Sequence, residues 1–285
     1  MSSREPATVS LSLAEFANHG GRTGPHKDGW GVAFYDENDV RLVREANAAS
    51  DSRAVAFLAD QAYRSTRVLA HIRQATFGPV KLKNSQPFTR ELGGRMHVFA
   101  HNGDLPEVEI LRRSAGHCFR PVGDSDSEHA FCLLMERLRP VWSGHDAPPL
   151  ADRVAGVAGF AREISPLGPA NFIYSDSDYL YVYAHKRTQP TDNEMRAPGL
   201  YFLCRTCVSR NPELRSLGGI SIAGHEGPQQ EVFLAASVPL TEERWVPLTE
   251  GELLVVRRGR IQLRRVLEPA APPAAALEPG IPAGV

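Results

Sequence analysis

No cysteine precedes Cys118, and the 285-residue chain holds only four. Four thiols are too few for a disulfide scaffold, so the expectation is a cytoplasmic protein with reduced thiols. Cys204 and Cys207 form a lone C-x-x-C without the second ligand pair that zinc requires, and they read as two buried strand thiols. Long apolar runs are also missing: Leu253-Leu254-Val255-Val256 is bounded by Glu252 and Arg257, far short of a bilayer span. The N-terminus lacks the basic, apolar and small-residue succession of a secretory signal. No polybasic run stands out, and the formal net charge is −1, which argues against nucleic acid or an anionic membrane as partner. Gly20-Gly21-Arg22-Thr23-Gly24 is glycine-rich but lacks the lysine spacing and the preceding strand of a phosphate loop. Nothing points to a metal or an organic cofactor, and there is no internal repeat.

What remains is an ordinary globular composition, 42% hydrophobic and 23% charged, on a chain long enough for a sizeable core. Ser10 can cap a short helix through Leu11, Leu13, Ala14 and Phe16 that Gly20-Gly21 would stop. Residues 32–35 and 40–43 read as a hairpin. Val55, Leu58, Ala59 and Ala62 fall at helical spacing, and 68–72 and 96–100 read as apolar strands. Ser125 and Glu128 make a capping-box pattern ahead of Phe131, Leu134, Met135 and Leu138. Leu150, Val154, Val157, Ala158, Ala161 and Ile164 predict a second amphipathic helix ended by Pro166. Strands are then expected at 171–174, 179–184, 200–204, 232–236, 253–256 and 261–263, the last two joined by Arg258-Gly259. Strands, then helices, then strands, with hairpin turns between many of them, favour α+β architecture with antiparallel sheets and segregated helices. Residues 1–266 are expected as one domain and 267–285 as a disordered Pro/Ala-rich tail.

Three short stretches carry candidate chemistry. Arg73 ends an apolar strand, where its planar fork suits a carboxylate; read alone, an ordinary strand-end ion pair fits as well. Asn102-Gly103 is a type I′ hairpin signal, or else a side-chain amide beside a glycine N–H that can stabilise an oxyanion. Asp126 stands at a helix start, either as a capping carboxylate or as a site for an ammonium. Together, one fixed cation and one fixed anion can read the zwitterionic end of an amino acid.

The joint pattern, in order, is His26-Lys27-Asp28-Gly29-Trp30-Gly31, Ala70-His71-Ile72-Arg73-Gln74, Ala100-His101-Asn102-Gly103 and Asp124-Ser125-Asp126-Ser127-Glu128. Further stretches are the leading Gly20-Gly21-Arg22-Thr23-Gly24-Pro25, then Gln86-Pro87-Phe88-Thr89-Arg90-Glu91-Leu92 and Phe119-Arg120-Pro121-Val122-Gly123. These resemble class II glutamine amidotransferases of the YafJ-like branch, over roughly residues 5–265. The resemblance implies a four-layer αββα N-terminal-nucleophile (Ntn) hydrolase sandwich of two antiparallel sheets with helices outside. It implies that Arg73 binds the glutamine α-carboxylate and Asp126 the α-ammonium. Asn102 and the Gly103 amide would form the oxyanion hole, with Gly103 also near the substrate amine. His26, Asp28, Gly29, Trp30 and His71 would shape the pocket.

The implied chemistry is acyl transfer to an N-terminal cysteine thiol activated by its own α-amine. In the family that cysteine follows the initiator methionine, and a handful of residues separates it from the stretch matching Met1-Ser2-Ser3-Arg4-Glu5-Pro6. Met1 therefore matches an internal methionine, and the nucleophile is expected on a short segment ahead of it. Serine at Ser2 would stand out of register. Gln86 replaces the family's usual histidine and can hydrogen-bond without carrying charge. Three functions stay open: a glutaminase that passes ammonia to a separate acceptor or synthetase protein, a γ-glutamyl amide hydrolase of the ergothioneine-pathway type, and an inactive glutamine-binding module.

Overall fold

In the computed structural model, residues 1–9, 16–76, 78–112, 117–144, 146–207 and 230–268 are described. In chain order the strands are β1 (Ser2–Ala7), β2 (Trp30–Asp36), β3 (Asp39–Glu45), β4 (Ser65–Ile72), β5 (Phe88–Leu92), β6 (Arg95–Gly103), β7 (Ala170–Ser175), β8 (Leu180–Ala184), β9 (Arg187–Thr188), β10 (Met195–Arg196), β11 (Tyr201–Cys207), β12 (Gln230–Ala236), β13 (Val246–Pro247), β14 (Glu252–Arg257) and β15 (Arg260–Val266). The main helices are α1 (Arg53–Gln61), α2 (Asp126–Leu138) and α3 (Leu150–Ile164). One sheet has the order β13-β11-β12-β1-β4-β2-β3, and a second the order β15-β14-β8-β7-β6-β5. Every pairing in them is antiparallel.

The layers follow from side-chain alternation along these strands. On the second sheet Val98, Val182, Leu254 and Val256 meet Ala33, Tyr35, Leu69, Phe202 and Phe233 of the first. The alternate residues Phe99, Phe172, Tyr181, Tyr183, Leu253 and Val255 pack instead on Phe131, Leu134, Leu138, Val157 and Phe160 of α2 and α3. On the far side Val55 and Leu58 of α1 cover Trp30, Val32, Phe34 and Val68. The result is helix, sheet, sheet, helix, the expected four layers. Both faces of the central strands are buried, so those strands read as continuous apolar runs.

The 37–38 turn joins β2 to β3 as expected, with Glu37 at φ 54°. Ser52 caps α1, accepting from the amides of Ala54 at 3.1 Å and Val55 at 3.3 Å. Three local expectations are corrected. Asn102-Gly103 is not a hairpin turn: both residues end β6 and pair with Asn171 and Ala170 of β7. Ser125 does cap α2, but Glu128 closes no capping box. Its carboxylate accepts from the Val122 and Gly123 amides at 3.1 and 2.6 Å and pairs with Arg90 at 2.5 Å. Cys204 lies in a strand but is exposed rather than buried. The helix expected from Ser10 falls mostly outside the described residues, as does the tail beyond Glu268.

His97 gives the fold a pH dependence. Its Nε2 lies 3.1 Å from the Leu92 carbonyl and its Nδ1 2.5 Å from the Tyr174 hydroxyl. Burial holds its pKa down at about 4 against the opposing charge of Asp176, so the ring is neutral with Nε2 donating and Nδ1 accepting. The unfolded chain binds that proton near pH 6.5, so stability is lost as pH falls from about 6.5 to about 4. Urea unfolding of His97→Phe should show a weaker acid dependence across that window than the parent. An unchanged slope would remove His97 from this role.

Candidate active site

The three chemical stretches meet at one end of the gap between the sheets. β4 ends at Ile72, and Arg73 follows it. Two backbone bonds fix that turn against the 26–31 loop: the Arg73 amide donates to the Gly29 carbonyl at 2.7 Å, and the Asp28 amide to the Arg73 carbonyl at 3.0 Å. The Asp28 carboxylate accepts from the Ala75 amide at 2.9 Å. Gly29 takes φ 135°, and a Cβ there would stand 2.6 Å from the Ser85 hydroxyl. Only glycine lets this loop approach so closely.

Arg73 was expected at the solvent edge of a sheet; its exposure is 4%. Its guanidinium donates to the carbonyls of Gly78 at 3.0 Å and Pro79 at 3.3 Å. Burial depresses its pKa, and the charges of Asp28 and Asp126 oppose that shift. This coupling places Asp126, from a different layer, within electrostatic reach of Arg73. Asp126 opens α2 and is itself buried. It accepts from the Leu105 amide at 2.9 Å and the Ser127 amide at 2.7 Å. Leu105 stands two residues beyond Gly103, so this bond ties the end of β6 to the start of α2. The Thr76 hydroxyl donates to Asp104 at 2.9 Å and ties the segment after Arg73 to the same place.

Asn102 alternates with His101 on β6. His101 turns to the helix side, 2.9 Å from the Ser127 hydroxyl, so Asn102 turns to the gap between the sheets. Its side chain is exposed and makes no side-chain hydrogen bond among the described residues. The backbone beneath it is clamped. Asn171 donates to the Asn102 carbonyl at 3.0 Å and to the Lys186 carbonyl at 2.8 Å, and accepts from the His185 amide at 2.7 Å. Gly103 follows at φ 155°, with the Pro169 carbonyl oxygen 1.8 Å from where a Cβ would stand. Nothing local in the sequence marks Asn171, whose partners lie 69 and 15 residues away.

His71 has the same parity as Leu69 and so faces the gap. Its Nδ1 is buried without a partner among the described residues, and burial, then the charge of His101, holds its pKa down at about 3. The ring is a neutral imidazole. His26 is half-buried, with a pKa lowered by burial and by the neighbouring His19 and Arg187. Arg187, at the start of β9, was not anticipated from the sequence; its Nε is buried and has no partner among the described residues. Trp30 joins this group through backbone alone. Its indole is buried under α1 and donates to Glu45 at 3.1 Å, away from the cluster. Gln86 bridges β6 and α2: its amide donates to the His101 carbonyl at 3.1 Å and to Ser127 at 3.3 Å, and accepts from the His101 amide at 2.7 Å. His97 and His101 have H-x-x-x-H spacing, but four residues of strand separate them by about 13 Å, too far to share a metal. No group of three or more metal-ligating side chains occurs among the described residues.

Two facing antiparallel sheets with helices outside, and polar groups gathered at one end of the gap between them, are the architecture of the Ntn hydrolases. A crystal structure from Pseudomonas aeruginosa PA01, of a protein described as a predicted glutamine amidotransferase, matches 92% of this chain and 95% of its own at 30% identity, with a TM-score of 0.62. The glutamine phosphoribosylpyrophosphate amidotransferase of B. subtilis matches 93% of this chain and 49% of its own at 14% identity, a likeness of fold, with a TM-score of 0.57. YafJ of Escherichia coli (strain K12) is 34% identical over 257 residues, 88% of this chain and 93% of YafJ. The family model for class-II glutamine amidotransferases matches residues 1–277, and the chain belongs to that family. No described helix is long and apolar enough to cross a membrane.

Proposed function

We propose that the Arg73, Asn102, Gly103 and Asp126 cluster holds the amino-acid head of glutamine while its side-chain amide is cleaved. The observation that carries this reading is the meeting of Arg73, from the first sheet, with Asp126 and the end of β6, from the second half of the sandwich. Arg73 pairs with the α-carboxylate and Asp126 with the α-ammonium. The carboxylate takes over guanidinium donors now directed at the Gly78 and Pro79 carbonyls, a charge-assisted exchange that favours the ligand. The Asn102 carboxamide and the Gly103 amide face the oxyanion that forms at the side-chain carbonyl. Asn171 and Gln86 are positioning residues, since they touch only the backbone and the shell around that cradle.

The nucleophile in this reading is an N-terminal thiol, and strand register says where it would stand. Ser2 pairs with Arg67, and Met1 exchanges hydrogen bonds with Val68 at 2.8 and 3.1 Å. Continued upstream, each step back advances one residue along β4, so a residue about five positions before Met1 comes level with Arg73. A thiol there is next to the bound amide. Its α-amine, titrating near pH 8, serves as the base that takes the thiol proton and passes it to departing ammonia. Water then hydrolyses the glutamyl thioester. The acceptor of ammonia is a separate molecule or protein.

The test compares two forms: the chain beginning at Met1, and the chain led by the codons found immediately upstream. The first should bind glutamine without turnover, and the second should release ammonia if those codons supply an N-terminal cysteine. No release from a cysteine-led chain would defeat the reading. A panel of γ-glutamyl amides separates the alternative substrate class. Release from glutamine well below that from larger amides would assign the site to a γ-glutamyl amide hydrolase. Arg73→Lys keeps the charge and loses the fork, so glutamine affinity should fall at least about tenfold by calorimetry. Unchanged affinity would remove Arg73 from carboxylate binding.

A further inference from the structure

The opposite end of the inter-sheet gap holds a second set of polar groups. Arg67 precedes Arg73 by six residues on the same strand line, which separates the two by about 20 Å. Arg67 shares the parity of Leu69, so its side chain enters the gap between the sheets. There it lies over the Tyr35 ring, 4.9 Å from the centroid. Tyr35 is fixed beneath it, donating to the carbonyls of Met96 at 3.0 Å and Ser175 at 2.9 Å. The guanidinium of Arg67 makes no hydrogen bond among the described residues, and its Nε is fully shielded from solvent. It has no ion pair among the described residues, although the charges of Asp176 and Asp178 reach it.

A cavity of about 330 Å³ opens at this point, walled by Arg4, Arg67, Arg257, Arg258, Ser177 and Asp178 among others. Hairpin turns of both sheets form its rim: the 37–38 turn, Ser177 between β7 and β8, and Arg258 between β14 and β15. Of the acids that line it, Asp178 and Glu5 are engaged, and Glu37 has no ion pair among the described residues. Asp178 pairs with Arg95 at 3.1 Å and Arg153 at 3.0 Å, and Glu5 with Arg258 at 3.4 Å. Arg257 stacks on Tyr179 at 5.2 Å and has no ion pair among the described residues. Two stacked guanidinium groups therefore line one small cavity without a direct ion pair among the described residues, and Asp178, which shares the cavity wall, offsets part of their charge. A donor nitrogen shielded without a partner, as Arg67 Nε is among the described residues, is costly, and a planar donor fork on an aromatic ring is well formed for a bidentate oxyanion.

We propose that this cavity is a second ligand site, which takes a small dianionic metabolite, a phosphate monoester or a dicarboxylate, between Arg67 and Arg257. The site is independent of the glutamine cluster, and its occupant needs neither a metal nor the N-terminal thiol.

Thermal shift and calorimetry on the full chain test it, with inorganic phosphate and succinate as probes at constant ionic strength and sodium chloride as the matched control. At least one probe should bind saturably and raise the melting temperature above the chloride control. The stronger of the two identifies the oxyanion class. Arg67→Met should weaken that binding at least about tenfold, since the half-buried fork supplies the charge-assisted contacts. Arg257→Gln, at the exposed rim, should weaken it about threefold or more and keep the fold if Arg67→Met does not. Saturable binding by neither probe, a shift equalled by chloride, or affinity unchanged in Arg257→Gln and in any folded Arg67→Met would overturn the proposal.

Discussion

Replacing Gly103 with alanine should abolish amide hydrolysis in a thiol-bearing form of the chain and destabilise the fold as well. The methyl group would stand 1.8 Å from the Pro169 carbonyl oxygen, a backbone atom that cannot rotate aside. Either β6 or the segment leading into β7 must move, and overpacking of this kind costs about 3 kcal/mol or more. The same displacement swings the Gly103 amide and the Asn102 carboxamide out of line, and losing a single oxyanion donor costs about 100-fold or more in rate. Urea unfolding and ammonia release measure the two effects separately. Asn102→Ala is the companion variant: its side chain is exposed and unbonded, so its rate should fall while its stability stays near the parent's. Full activity in Asn102→Ala would show that the oxyanion is held elsewhere.

Arg153→Met should be the most damaging substitution away from the site. Arg153 lies almost wholly buried in α3. Its Nε donates to the Pro148 carbonyl at 2.7 Å, and one terminal nitrogen lies 3.1 Å from Asp176 and 3.0 Å from Asp178. The guanidinium covers the Trp142 ring at 4.7 Å. Removing it leaves the Asp176 carboxylate buried with only the Tyr181 hydroxyl and the amides of Asp178 and Tyr179 as partners. Breaking one side of a buried pair costs about 3–5 kcal/mol, mostly from the charge left behind. Replacing Asp176 with Asn in the same background removes that orphan charge and should recover part of the loss. A double variant no better than Arg153→Met would show that packing on Trp142, rather than charge, dominates.

The limits of local patterns show at single residues. Ser125 and Glu128 fit a capping box, yet Glu128 turns to two amides and an arginine. The pattern cannot see that Arg90 of β5 lies across from the helix. Asn102-Gly103 has the composition of a tight turn, and it is a strand end because Ala170 and Asn171 pair with it across an intervening stretch that includes two helices. Cys204 sits in a strand as expected, but it is exposed, which the strand pattern alone could not show. Asn171 and Arg187 had no local mark, since their importance comes from what they touch.

The order of strands and helices, the capped start of α2, the two-residue turn after Asp36 and the family motifs were all legible along the chain, because each depends on residues within a few positions of one another. Which ends of which strands lie together was decided by the packing of two sheets and the register of β1, β4, β6 and β7. That packing brings Arg73 within electrostatic reach of Asp126 at one end of the sandwich and leaves Arg67 with no ion pair among the described residues at the other. Electrostatic pairing acts through space at a few ångströms, whereas the chain separates these groups by tens of residues, so only the folded arrangement could reveal it.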